Sequence, residues 1–509
     1  MEHKFLFNPV SVIVFLSFVF CIYTLRRRSN PARRQKLPPG PWKLPLIGSL
    51  HHLVGGSLPH RTLRNLSRKY GPIMHLQLGE ISAIVISSPQ LAKAITKTHD
   101  LVFANRPKMM SFDVVYYKCT DVAFSPYGDY WRQMRKICVL ELLSTKMVKS
   151  FNSFRQEELS ELISSIKASG SAPINLTEKI CWFTSSTIAK AAFGRVRRED
   201  QERFIVLVKE ALSLAGGFGV ADLFPSKKWI HYVSGTKPRL LKVHREVDKI
   251  FELIIEEHKD NMANRNNNKA KDHEEDIVDV LLRVMEGGEL QIPITRDNIK
   301  AVINDMFSAG VESSATTLIW AMSEMMKNPS VMSKAHAEVR EVLKGKKTFD
   351  NKELENLTYL NFVIKETLRL HAPIPLLAPR ESMQETQIDN YIIPPKTRVF
   401  INAWAIATDP KYWKDPERFL PERFENSSVE FMGNHYEFIP FGSGRRMCPG
   451  ISFSLASIAH SLAALLYHFD WEIPSGVSPN DLDMNEGMGI AVAKKEDLCL
   501  IAQPFIFEP

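Results

Sequence analysis

The stretch PFGSGRRMCPG, residues 440–450, decides how the chain is read, because it sets one cysteine, Cys448, among glycines, arginines and prolines. Five other cysteines (Cys21, Cys119, Cys138, Cys181 and Cys499) are scattered through 509 residues without the short paired spacings of a zinc site. Cys448 therefore has to be read by itself. A lone thiolate either attacks an electrophile, which requires a base, or binds a soft metal. No local histidine offers that base, since the nearest are His435 and His460. Haem iron is the other option: a cysteine in a glycine-rich loop ahead of a helix can set its sulfur against iron while backbone amides tune its donation. Gly442, Gly444 and Gly450 let the backbone turn tightly and approach a flat ligand, and Arg446 can pair with a haem propionate.

Gly442-Ser443-Gly444 also opens like a dinucleotide loop, but Met447 stands where the third glycine belongs. The Gly216-Gly217-Phe218-Gly219 cluster fits no better, so the chain is not expected to bind NADPH itself. With 44% apolar and 10% aromatic residues the chain can bury a large core, which excludes disorder as its main state. Few cysteines argue for a reducing compartment. A net charge of +8 from 65 basic and 57 acidic residues is a modest bias, not a nucleic-acid signature.

Residues 5–25 carry no charged side chain and match the ~20 residues a helix needs to cross a bilayer. Arg26, Arg27, Arg28, Arg33, Arg34 and Lys36 follow that run, the reverse of a cleaved signal peptide. The positive-inside rule then leaves everything downstream in the cytosol. Residues 1–25 are read as a transmembrane anchor, residues 26–45 as a basic and proline-rich hinge stiffened by Pro38, Pro39, Pro41 and Pro45, and residues 46–509 as the catalytic domain.

Helical patterns dominate that domain, with strand-like pieces at 73–78, 83–87 and 398–401. A proline-free run between Pro293 and Pro329 predicts a central helix over 296–327 with Thr295 as N-cap. A second helix is expected over 360–370, and the polar tract 261–276 is expected to be a loop between helices.

Phe441-x-x-Gly444-x-Arg446-x-Cys448-x-Gly450 resembles the haem-ligand signature of the cytochrome P-450 haem-thiolate monooxygenases. Trp131-x-x-x-Arg135, Ala309-Gly310-Val311-Glu312-Ser313, Glu366-x-x-Arg369 and Pro421-Glu422-Arg423-Phe424 match further landmarks of that family in the right order. The resemblance implies a mainly α fold with small β-sheet regions, holding haem b between a long central helix and the Cys448 loop. It implies Cys448 as the axial iron ligand, and Trp131, Arg135, Arg380, Phe441, Gly444, Arg446 and Gly450 as further haem-binding residues.

Glu366 and Arg369 share a helix face and by themselves fit a solvated surface pair; the family implies a buried structural triad with Arg423. Trp131 and Arg135 by themselves fit a cation–aromatic surface pair; the family makes them propionate partners. Glu312 and Ser313 stand where the family keeps an acid and a threonine that relay protons to bound oxygen. Serine keeps the hydroxyl and loses the methyl that fixes the rotamer, which predicts looser proton delivery; the plain alternative is a serine bonded to its own helix backbone.

The resemblance also implies electrons from NADPH through the membrane-bound NADPH-cytochrome P-450 reductase, with cytochrome b5 as a second electron-transfer partner. It places the protein as a single-pass chain in the endoplasmic reticulum membrane. Phe112, Asn304, Ala309, Ile374, Leu377 and Met488 are candidate substrate contacts, and their apolar surroundings suit a compact hydrophobic molecule. LPPGPWKLPLIGSLHHL, FSPYGDYWRQMRKICVLELLS and VIKETLRLHAPIPLLAPRE are similar to the plant microsomal subgroup whose members hydroxylate mono-, sesqui- and diterpenes, with indole-alkaloid hydroxylases close by. A terpenoid substrate is the expectation. A haem-thiolate isomerase or dehydratase, or a haem carrier, is the rival reading, and retention of an acid–alcohol pair favours oxygen chemistry over both.

Overall fold

The computed structural model of the chain describes Ser17 and residues 36–506, apart from 195–197, 216–218, 269–274, 289, 347 and 477. The expected anchor, save Ser17, and residues 26–35 of the expected hinge lie outside the described residues.

Helix α1 (Pro59–Tyr70) stops at Gly71 and leads into strands β1 (Ile73–Leu78) and β2 (Ile81–Ile86). Gly79, at φ +62, and Glu80 form the connecting turn, so β2 starts at Ile81 opposite Leu78, two residues ahead of the start expected from hydropathy. β3 (Arg380–Glu381) and β4 (Arg398–Ile401) complete a four-stranded sheet of order β1-β2-β4-β3. β4 runs parallel to β2, with Ala83 beside Arg398 and Ile86 beside Ile401. A parallel pair so far apart in sequence requires a long crossover, and nearly the whole helical body is that crossover.

Within the crossover come α2 (Met110–Val115), α3 (Asp129–Ile137), α4 (Leu176–Phe193), α5 (Arg198–Ala215), α6 (Thr236–Asn268), α7 (Ile277–Glu286), α8 (Arg296–Lys327) and α9 (Thr358–Leu370). α10 (Ile451–His468) follows the Cys448 loop. α8 has the bounds expected from sequence, and its start is fixed by a capping box: Thr295 Oγ1 accepts from the Asn298 amide while Asn298 Oδ1 accepts from the Thr295 amide. At 1.5 Å per residue this helix is about 48 Å long and crosses the domain. Its first half, including Ile299, Ile303 and Phe307, packs with α4 to α7, and its second half, including Leu318, Met322 and Met325, packs with α9 and α10.

Two further expectations from sequence need correction. α9 starts at Thr358 because the Glu338 carboxylate accepts from the Tyr359 and Leu360 amides, a cap supplied from elsewhere in the chain. The tract 261–276 is not a loop throughout: α6 continues to Asn268, while 269–274 lie outside the described residues. Among the described residues, α10 is the one helix long and apolar enough to cross a membrane, and most of it is buried in the core beside the Cys448 loop.

Backbone conformation distinguishes two loops. Gly442 and Gly444 sit at φ +72 and +71, where glycine pays no steric penalty. Tyr117, Lys118 and Cys119, just after α2, sit at φ +48, +63 and +57, where a side chain costs about 1–2 kcal/mol per residue.

Candidate active site

Cys448 is held by its own loop: its amide donates to Phe441 O at 3.0 Å and the Gly450 amide donates to its sulfur. Burial raises the pKa of the thiol, while the Gly450 amide and the charge of Arg135 pull the other way. Gly444 packs against protein and not against an open ligand face, since a Cβ there would lie 2.0 Å from the Thr96 carbonyl.

Above the loop lies a cavity. Phe441, Cys448 and Gly450 form its floor, and Asp305, Ala309, Ser313 and Thr317 of α8 form its opposite wall, a stripe at four-residue spacing on one helix face. Ile374 and Leu377 close the side, with Ile188 of α4 behind.

Four guanidinium groups converge on the cavity. Arg135 Nη2 donates to Met447 O at 2.6 Å; Arg446 donates to the carbonyls of Ala104, Val122 and Ser125; Arg106 donates to those of Ala123, Ala378 and Pro379. Arg380 donates to Ser443 O at 2.7 Å and pairs with Asp100 at 3.2 Å. Backbone carbonyls satisfy donors of all four groups, and Arg380 alone is paired directly with a carboxylate. Burial therefore lowers the pKa of all four groups, and Arg446, crowded further by Arg380, is pushed down to about 9. A flat ligand with a soft metal for the Cys448 sulfur and carboxylates for this margin fits the donor set, which is the chemistry of haem b.

Trp131 Nε1 donates to Val122 O at 3.0 Å, and the cation stacked on its ring, 4.1 Å from the centroid, is Arg446 and not its sequence neighbour Arg135. Ser313 Oγ donates to Ala309 O at 2.7 Å, and Ser313 lines the cavity. Glu312 does not; burial raises its pKa, with the Lys209 ammonium opposing.

Three expected substrate contacts lie elsewhere. Phe112 stacks on Phe124 at 3.8 Å, behind the cavity wall. Asn304 is one residue, about 100°, off the α8 stripe, and its amide bonds Val115 O. Met488 is 82% exposed at the tip of a hairpin closed by the Glu486–Lys494 bridge. Residues 212–221 and 485–490 supply no cavity residue among the described ones. Arg106 and Asp305 are the residues that motif reading passed over. Asp305 had a signal, an acid inside an apolar helical run; Arg106 had none beyond the Pro107 that follows it.

Away from the cavity, Arg369 grips Glu366 in a bidentate pair (2.7 and 2.8 Å) and Arg423 Nε reaches Glu366 Oε1 at 2.9 Å. Glu366 and Arg369 are fully buried, and the Leu420 amide adds a fourth bond to the carboxylate. The remaining Arg369 donors go to the carbonyls of Ala407, Pro416 and Arg418, so the network pins the segment ahead of the Cys448 loop to α9.

The family model for cytochrome P450 matches residues 38–500. The chain belongs to the cytochrome P450 family. It is therefore an oxidoreductase of the haem-thiolate monooxygenase type, carrying haem b and drawing on NADPH through a redox partner. It is 55% identical over 499 residues to premnaspirodiene oxygenase of Hyoscyamus muticus, covering 98% of each chain. It is 54% identical over 501 residues to 5-epiaristolochene 1,3-dihydroxylase of Nicotiana tabacum, again covering 98% of each. Among solved structures, a zebra fish cytochrome P450 with progesterone superposes with a TM-score of 0.76 at 25% identity, covering 88% of this chain and all of that one.

Proposed function

We propose that the protein is a membrane-anchored monooxygenase of the endoplasmic reticulum that inserts one oxygen atom of O2 into a C–H bond of a terpenoid of sesquiterpene or diterpene size. The observation that carries the substrate class is the naming of relatives more than half identical along the whole chain for the oxygenation of premnaspirodiene and 5-epiaristolochene. The cavity agrees in character: Ile188, Ala309, Ile374 and Leu377 offer a hydrocarbon surface that excludes water.

When bound, the haem supplies the oxygen-activating chemistry. Cys448 would hold the iron, and the Gly450 amide and the Arg135 charge favour its sulfur as thiolate. Arg135, Arg380 and Arg446 would hold the propionates, with the Trp131 ring stacked against Arg446. Ser313 Oγ, anchored on Ala309 O, keeps its lone pairs available at the cavity and can hold a proton there. Glu312, its carboxyl pKa raised by burial, replenishes that proton from the side of Lys209.

Support for the membrane setting comes from one exposed apolar face. Trp42, Leu46, Ile47 and Val54 lie on the N-terminal segment, and Val220, Trp229, Tyr232 and Val233 lie on the segment after α5. The two are joined through the β1–β2 turn, where Gly79 N donates to Ile47 O and Glu80 N to Leu223 O. NADPH-cytochrome P450 reductase, with cytochrome b5 as a second donor, delivers the electrons. Exposed Lys136 and Arg445 beside the Cys448 loop suit an acidic partner.

Co-expression with the reductase, feeding of terpene hydrocarbons and mass analysis of the products tests this reading. Products heavier by one oxygen, formed only with NADPH, are expected. Turnover that needs no NADPH would overturn the monooxygenase reading, and oxidation confined to non-terpenoid compounds would overturn the substrate class.

A further inference from the structure

Val122 and Ala123 form part of the cavity wall, and the strained turn Tyr117-Lys118-Cys119 leads into them. Strain of this kind persists only where the surroundings over-determine the backbone. Here the loop is held from two sides. On its outer side the Tyr117 hydroxyl donates to Asp248 Oδ1 of α6 at 2.9 Å, and its ring packs edge-on against His244. Lys300 of α8, only 2% exposed, donates to the same Asp248 oxygen at 2.6 Å and to Glu252 Oε1 at 2.6 Å. On its inner side Asp305 Oδ2 accepts from the Val122 and Ala123 amides at 3.2 and 3.0 Å, and the Tyr116 hydroxyl meets Ser308 Oγ at 2.9 Å.

We propose that Tyr117, Asp248 and Lys300 form a latch that holds the 116–124 wall closed against the strain of its left-handed turn. They are thereby positioning residues that set how readily a rigid apolar molecule enters the cavity and which face it presents to the α8 stripe. The inference rests on the reading of this cavity as the substrate chamber.

Two substitutions pull the latch in opposite directions. Tyr117→Phe keeps the ring and removes its bond to a charged acceptor, so the wall opens more often. Lys118→Gly, at an exposed side chain, removes a steric cost of the turn, so the wall opens less often. The experiment uses the full-length haem-loaded protein in detergent, with hydrogen exchange of amides 116–124 and stopped-flow binding of 4-phenylimidazole as readouts. Tyr117→Phe is expected to speed both by about tenfold, the loss of one hydrogen bond to a charged group. Lys118→Gly is expected to slow both several-fold, with overall melting and the carbon monoxide spectrum unchanged in each variant.

Rates unchanged in both variants, or shifted in the same direction, would overturn the latch. Should Tyr117→Phe fail to fold, Lys118→Gly decides alone: slower supports the proposal, unchanged or faster refutes it. Absence of the haem spectrum in the parent protein would overturn the underlying reading instead, and the exchange comparison would still decide the latch.

Discussion

The Cys448 loop and the 116–124 loop line one cavity and use the same left-handed backbone in opposite ways. The cysteine loop puts Gly442 and Gly444 at positive φ and stores no strain there. The 116–124 loop puts Tyr117, Lys118 and Cys119 at positive φ and keeps the strain, balanced by the proposed latch of side chains. Rigidity lies where a ligand sulfur must not move. Stored strain lies in the wall that the proposed latch holds closed.

Breaking the rigid side should have the largest effect. Glu366→Ala would leave Arg369 and Arg423 buried without their carboxylate, a loss of about 3–5 kcal/mol. Folded protein should fail to accumulate, as measured by haem content per expressed chain. A variant that accumulates normally would show the network to be dispensable. Gly444→Ala comes next, because its Cβ would meet the Thr96 carbonyl at 2.0 Å and its φ is +71. Destabilisation of about 2 kcal/mol is expected in thermal or urea unfolding, in contrast to the tolerance expected of Lys118→Gly.

The reactive stripe gives a smaller and more specific effect. Ser313→Ala removes the hydroxyl that Ala309 O anchors, and product formed per NADPH consumed should fall several-fold with stability intact. Unchanged coupling would leave Ser313 as a helix-bonding residue and no more.

The mildest prediction concerns the far end of α6. Burial lowers the pKa of His258, but its bond to Asp276 at 2.8 Å and the Asp276 charge outweigh burial and raise it to about 9. A raised histidine pKa contributes stability that is full below about 6.5 and fades as pH rises through about 9. Melting temperature should therefore decline across that window in the parent protein and less so in His258→Gln.

What was legible in the sequence divides along the same line. The Cys448 loop, the bounds of α8 and the spacing of Glu366 and Arg369 are local patterns, written in residues close together in the chain. Long-range partners were not legible. The α9 start depends on Glu338, and the charge at the cavity margin depends on Arg106, which arrives from a loop with no motif. Met488 was expected in the pocket because its segment is apolar, yet hairpin geometry turns it outward. Nothing local announces three side chains in a left-handed turn, since none of Tyr, Lys and Cys favours one.

The most direct test of the account is the absorption spectrum of the full-length protein reduced with dithionite and saturated with carbon monoxide. The parent should show the red-displaced band of thiolate-ligated haem, and Cys448→Ser should lose it. A parent band at the position given by nitrogen-ligated haem, or a red-displaced band surviving in Cys448→Ser, would contradict the assignment of Cys448 as the iron ligand.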